Sequence, residues 1–199
     1  MIFVFTLALI SPVASADLAT VLEDFSQEEI VSVGENVYQT PGQQTCLKCH
    51  RAGGEGEGWA GASDLRKPYE WNSFKALGGY EALEADPAQF RQNMETLLTY
   101  LITNGGLKTN IGFKKDHPEI KLDWSKTDGK KQFDMMMWGT FQKEMKKKIK
   151  VVQAELAEEG TEIADEDMRT FATYAVIEYI RGFEEANPDS PDSPLILKK

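Results

Sequence analysis

The sequence predicts an all-α chain. Apolar residues return at helical spacing in several separate stretches, strong capping residues mark helix starts, and neither an alternating strand pattern nor an internal repeat is found. A length of 199 residues suits one domain with insertions.

The first ten residues, Met1 to Ile10, are almost wholly apolar, and Pro12 and Ala14-Ser15-Ala16 follow. This is the pattern of a secretory signal peptide over 1–16, cleaved after Ala16 to leave Asp17 as the mature start. The apolar run is too short to span a bilayer, although an uncleaved N-terminal anchor is the alternative. No Lys or Arg precedes the run, so a start codon further upstream is also compatible with it. No later segment approaches membrane-spanning length.

Ser26-Gln27-Glu28-Glu29 reads as a capping box, and Ile30, Val33, Gly34, Val37 and Tyr38 then recur at helical spacing. The first long helix therefore spans about Gln27 to Tyr38, stopped by Thr40-Pro41-Gly42. Gly34 inside it costs stability unless another element packs closely there.

Cys46-Leu47-Lys48-Cys49-His50 follows, a C-x-x-C-H sequence that holds both cysteines of the chain. This is the spacing of c-type haem attachment. Each thiol can form a thioether with one haem vinyl group, and the adjoining histidine is placed to ligate the iron. A zinc site would need two more Cys or His ligands, and the only other histidine is His117. A thioredoxin-like pair would want a βαβ setting, which the sequence does not offer. Glycines at 53, 54, 56, 58 and 61 read as backbone that wraps a flat cofactor, not as a nucleotide loop. Tyr69, Trp71, Phe74 and Tyr80 can pack on a haem or fill ordinary core.

Asp86-Pro87-Ala88-Gln89 is the strongest helix start, with Phe90, Met94, Leu97, Leu98, Leu101 and Ile102 on one face and Asn104-Gly105-Gly106 as the stop. Leu107 to Phe133 is Lys-rich and lacks periodicity, which predicts a long loop containing His117-Pro118. Met135-Met136-Met137 comes next, and Met94 reads as core. A further helix is expected from Thr140 to Gly160, with Phe141, Met145, Ile149, Val152 and Leu156 on its apolar face. The last helix runs from about Asp165 to Glu185, with Phe171, Tyr174, Ala175, Ile177 or Val176, Tyr179, Ile180 and Phe183 on a wide stripe. The domain is thus expected over 17–186, and 187–199 is a loose tail.

The net charge of −10 argues against a nucleic-acid partner. The charge is unevenly placed: residues 105–150 carry twelve Lys against six Asp or Glu, whereas 155–192 carry twelve acids against Arg169 and Arg181. Such asymmetry can orient the molecule toward a charged partner.

Taken in order, these pieces resemble a class I c-type cytochrome. The features that carry the resemblance are Gly34 and Tyr38 in the first helix, the Cys46–His50 motif, the helix ending Asn104-Gly105, the methionine loop and the aromatic last helix. The resemblance covers about Gln27 to Phe183, and only the haem motif is highly specific. It implies a cytochrome c-like all-α domain wrapped around one covalent haem c, with an inserted loop and an extra helix. Cys46 and Cys49 would carry the thioethers, and His50 would be the proximal ligand. Met137 is the first choice for the distal ligand, then Met136 and Met135, with His117 as the rival. Gly34 would sit where the first and last helices cross. Pro68, or a backbone carbonyl near it, would accept the His50 N–H. The sequence departs from the family in lacking a Met-Pro pair, since Trp138 follows Met137, and in the length of the segment after Gly105.

The implied function is non-enzymatic, single-electron transfer between periplasmic redox partners. An acidic partner would dock at Lys143–Lys150. Two alternatives stand beside it: a haem subunit of a larger periplasmic oxidoreductase, for example one oxidising sulfur compounds, and a haem enzyme or sensor with an open iron.

Overall fold

A computed structural model describes residues 18–42, 45–56, 62–127 and 138–184. The expected signal peptide, the Met135–Met137 loop and the C-terminal tail lie outside the described residues. Helix α1 (Leu18–Glu23) leads into α2 (Gln27–Tyr38), which starts where the capping box places it. The Ser26 hydroxyl accepts from the Glu29 amide at 3.3 Å, and the Glu29 carboxylate accepts from the Ser26 amide at 2.7 Å. The Ser26 hydroxyl, which donates to the Glu29 carboxylate at 2.6 Å, and then the Ser26 amide hold the Glu29 carboxyl below its usual value.

A one-turn helix, α3 (Cys46–His50), carries the C-x-x-C-H sequence, and a 3-10 turn (Pro68–Glu70) precedes α4 (Asn72–Ala76) and α5 (Gly79–Ala85). Helix α6 (Pro87–Asp116) begins as its sequence dictates, with the Asp86 carboxylate accepting from the Gln89 amide at 3.0 Å. Phe90, Met94, Leu97, Leu98, Leu101 and Ile102 are all buried, so Met94 is a core methionine.

At Gly105 the helix breaks, with φ 75° and ψ 168°, but it does not end. Helical backbone resumes and continues to Asp116, and His117 is its C-cap. The expectation of a loop from Leu107 is thus corrected for 107–116. Thr109 and Phe113, four residues apart, supply the buried contacts of this segment, while Lys114, Lys115 and Asp116 face solvent. So narrow an apolar stripe hides the helical period. The segment beyond His117 is tied down as well. Ile120 is buried, the Asp123 amide donates to the Ala76 carbonyl at 2.6 Å, and a 3-10 turn (Trp124–Lys126) puts Lys126 Nζ 2.7 Å from a Glu81 carboxylate oxygen.

Helix α7 (Trp138–Glu158) begins two residues earlier than expected and buries Met145, Ile149, Val152 and Leu156. Gly160, at φ 96°, follows its last turn. Helix α8 (Asp165–Arg181) is four residues shorter than the sequence suggests and buries Met168, Phe171, Ala172, Ala175, Val176, Ile177 and Ile180. Among the described residues there is no strand, and no helix is long and apolar enough to cross a membrane.

The core is organised by the packing of α2 on α8, and Gly34 lies where their backbones approach. Helix α8 also packs on α1, α6 and α7. Phe74 is ordinary core, edge-on to Tyr80 and Phe90 at ring separations of 5.0 and 5.4 Å.

Candidate functional site

The motif turn is built from both of its ends. Thr45, fully buried, caps α3 by accepting from the Lys48 amide at 3.4 Å. Arg51 stops the helix with φ 60°, the one non-glycine residue with positive φ among those described, and its amide returns to the Leu47 carbonyl at 2.9 Å. The Arg51 carbonyl in turn accepts the Tyr38 hydroxyl at 2.7 Å. The last residue of α2 therefore fixes the point where the motif turn ends.

The glycine-rich segment folds back beneath the histidine. The Gly56 amide donates to the His50 carbonyl at 3.3 Å, and the Leu65 amide donates to the Gly54 carbonyl at 2.7 Å. His50 Nδ1 then reaches the Ser63 carbonyl at 2.9 Å. A carbonyl can only accept, so Nδ1 carries the proton and Nε2 keeps its lone pair. The carbonyl of the adjoining Asp64 accepts Trp71 Nε1–H at 2.7 Å, and the Asp64 carboxylate binds Arg66 Nη2 at 2.7 Å and Nε at 2.9 Å. The histidine's acceptor is thus Ser63, not Pro68, and the buried Trp71 anchors the strand of chain that presents it.

The C-terminal end of α8 covers this loop. A Cβ on Gly54, at φ 77°, would lie 2.7 Å from the Phe183 ring. Phe183 also stands edge-on to Tyr38 at 5.5 Å and to Tyr179 at 4.9 Å, and the Tyr179 hydroxyl accepts from Gln39 Nε2 at 3.1 Å.

Burial pushes the Cys46 thiol up to about 12, against a lowering backbone hydrogen bond and together with a rise from Cys49. Burial raises Cys49 too, partly offset by Lys48. Burial also lowers His50, against the opposing effect of its Ser63 bond. At neutral pH the site is therefore two protonated, unpaired thiols and a neutral imidazole. Protonated thiols are poor thiolate nucleophiles and poor zinc ligands. Among the described residues no group of three or more His, Cys, Asp or Glu could hold a metal ion.

The rival ligand His117 sits elsewhere in the contact network. Its ring packs on Phe113 at 4.9 Å and on Tyr100 at 5.7 Å, and Nδ1 is 3.4 Å from a Glu119 carboxylate oxygen. None of these contacts reaches the motif turn. Met135, Met136 and Met137 lie outside the described residues.

The roles of Ser63 and Trp71 are ones that sequence reasoning missed. A backbone acceptor leaves no trace in side-chain identity, and Trp71 read only as one more aromatic. Comparison with protein-family models, with curated proteins and with solved structures returned no match.

Proposed function

We propose that this chain is an exported monohaem c-type cytochrome that carries single electrons between redox partners. One observation carries the reading: C-x-x-C-H occupies a capped, one-turn helix whose thiols are unpaired and whose histidine has only Nε2 left to offer a metal. The donor set fits haem c and falls short of a four-ligand zinc site. The α2–α8 crossing beside the motif supports the finer reading of a cytochrome c-like domain.

In this reading Cys46 and Cys49 hold the haem through thioethers, and His50 is the proximal ligand. The Ser63 carbonyl sets the ring's orientation and tautomer and raises the basicity of Nε2. Tyr38 and Phe183 fix the turn and its covering loop. Met137 is the proposed distal ligand, with Met136, Met135 and His117 as the other candidates. A bound haem supplies one-electron chemistry through Fe(II) and Fe(III), at a potential raised by methionine ligation. The lysines of 143–150 and 108–131 then steer an acidic redox partner. Charge reversal at Lys146, Lys147 and Lys148 should slow electron exchange and flatten its salt dependence, and an unchanged rate removes the docking surface.

The test of the main reading is the intact mass and the optical and near-infrared magnetic circular dichroism spectra of the exported protein. A covalent haem adduct with a methionine-to-iron charge-transfer band is expected, and Met137→Ala should abolish that band. A bis-histidine spectrum moves the ligand to His117. A high-spin spectrum that responds to carbon monoxide replaces electron transfer with an open-iron enzyme or sensor, and a chain that acquires no haem ends the reading. Stable co-purification with a catalytic chain would make the protein the haem subunit of a larger oxidoreductase.

A further inference from the structure

Wherever else a described residue takes a positive φ, the chain places glycine: Gly42, Gly54, Gly56, Gly78, Gly79, Gly105 and Gly160. The exception is Arg51, at φ 60° and ψ 175°. A residue with a Cβ rarely adopts this backbone, and glycine adopts it without strain. Three bonds impose the conformation. The Arg51 amide donates to the Leu47 carbonyl at 2.9 Å, and the Arg51 carbonyl accepts the Tyr38 hydroxyl at 2.7 Å and the Gly54 amide at 3.4 Å. All three are main-chain bonds of Arg51, so the fold needs this backbone and makes no use of this side chain. Arg51 is exposed, and its guanidinium pairs with no described residue. A strained position that keeps a long, charged, exposed side chain points to a task outside the fold.

A second cation stands close by in the chain. Lys48 is exposed on the same turn, and its ammonium also pairs with no described residue. Lys48 and Arg51 bracket Cys49 and His50. The carboxylates of the adjoining loop are committed elsewhere: Glu55 accepts from the Gly53 amide at 3.2 Å, and Asp64 is bound by Arg66. The motif turn thus presents two positive charges on a chain whose net charge is −10. Such a spot selects anionic groups. A lipid surface would also want apolar area to bury. The large exposed apolar side chains among the described residues, Ile111 and Val151, belong to α6 and α7.

We infer that Arg51 is a docking residue, held at a strained position so that its guanidinium, together with Lys48, meets carboxylates of an acidic redox protein at the motif turn itself. That the partner is a redox protein rests on the electron-transfer reading; the carboxylate contact does not. A guanidinium can bind one carboxylate through two parallel hydrogen bonds, which fixes the partner's orientation as well as its place. The lysine-rich segments then supply long-range attraction, and Arg51 supplies the final contact.

The test is a nuclear magnetic resonance titration of the exported full chain with a hexaglutamate peptide at about 20 mM salt, where charges are weakly screened. Thermal melts of the same samples accompany it. The signals of Lys48 and Arg51 should shift most. Arg51→Gly should bind the peptide several-fold more weakly and melt at the same temperature or higher, because relief of strain offsets the added freedom of the unfolded chain. Arg51→Lys should keep most of the binding. An Arg51→Gly variant that binds as tightly as the wild type overturns the inference. So does one that melts lower, since the side chain then serves the fold. Shifts centred on residues 143–150 overturn it as well, and so does binding to phosphatidylglycerol vesicles without binding to the peptide. The intact mass of the same sample reports haem separately: a chain without haem ends the electron-transfer reading, and the peptide result still decides the role of Arg51.

Discussion

A Cβ placed on Gly34 would lie 1.9 Å from the backbone carbonyl oxygen of Ala175. The obstacle is main chain, so no rotamer change can relieve it. Gly34→Ala gains up to about 1 kcal/mol in helix propensity but forces α2 away from α8, at a cost of roughly 1–3 kcal/mol or more. A net fall in melting temperature of several degrees is expected by calorimetry. Ala175→Gly in the same chain should not rescue it. An unchanged melting temperature would mean that the helices do not cross there.

The break at Gly105 gives a second prediction. A φ of 75° with ψ of 168° is a conformation that residues with a Cβ rarely adopt. Beside the break the Arg169 guanidinium donates to the Thr103 carbonyl, and Asn104 Nδ2 donates to the Tyr100 carbonyl at 3.1 Å. Gly105→Ala should therefore lose roughly 1–3 kcal/mol in denaturant unfolding. A neutral result would show that the helix can straighten at this point.

Trp71→Phe keeps the ring's bulk but removes the donor to the Asp64 carbonyl. An unpaired buried carbonyl costs about 1–3 kcal/mol. Its larger consequence lies one residue away, because the freed segment carries the Ser63 carbonyl that holds His50. Nuclear magnetic resonance should show the His50 ring losing its single tautomer in Trp71→Phe. A ring that stays fixed would mean that Ser63 is held by other contacts.

The Asp64–Arg66 pair sets a pH dependence. Arg66 holds the Asp64 carboxyl below its ordinary value, chiefly through the side-chain hydrogen bond. A group depressed on folding contributes stability above its unfolded pKa, and that contribution is lost as pH falls through the folded value. The pair is partly exposed, so solvent screening leaves a few tenths of a kcal/mol. Arg66→Gln should move the onset of acid unfolding to higher pH and leave neutral-pH stability only slightly lower. A shift in the opposite direction would contradict the assignment.

How much of this was readable in the chain differs by element. Ser26 with Glu29, and Asp86 with Pro87, announce helix starts because a cap is made within one turn of its own residue. The Cys46, Cys49 and His50 spacing is local too, and the attachment chemistry proposed for it rests on that spacing. The continuation of α6 past Gly105 was not legible, since its support is the tertiary burial of Phe113 and Thr109. Gly34 announced a close approach, and its expected crossing with the last helix is met at Ala175 and Tyr179.

The sequence by itself determined the helical class and the places of the long helices α2, α6, α7 and α8, because caps and apolar spacing act within a few turns. Only the tertiary structure decided that Ser63 holds His50 and that Phe183 covers Gly54. These depend on distances between segments far apart in the chain, and burial, not spacing, selects which of them meet.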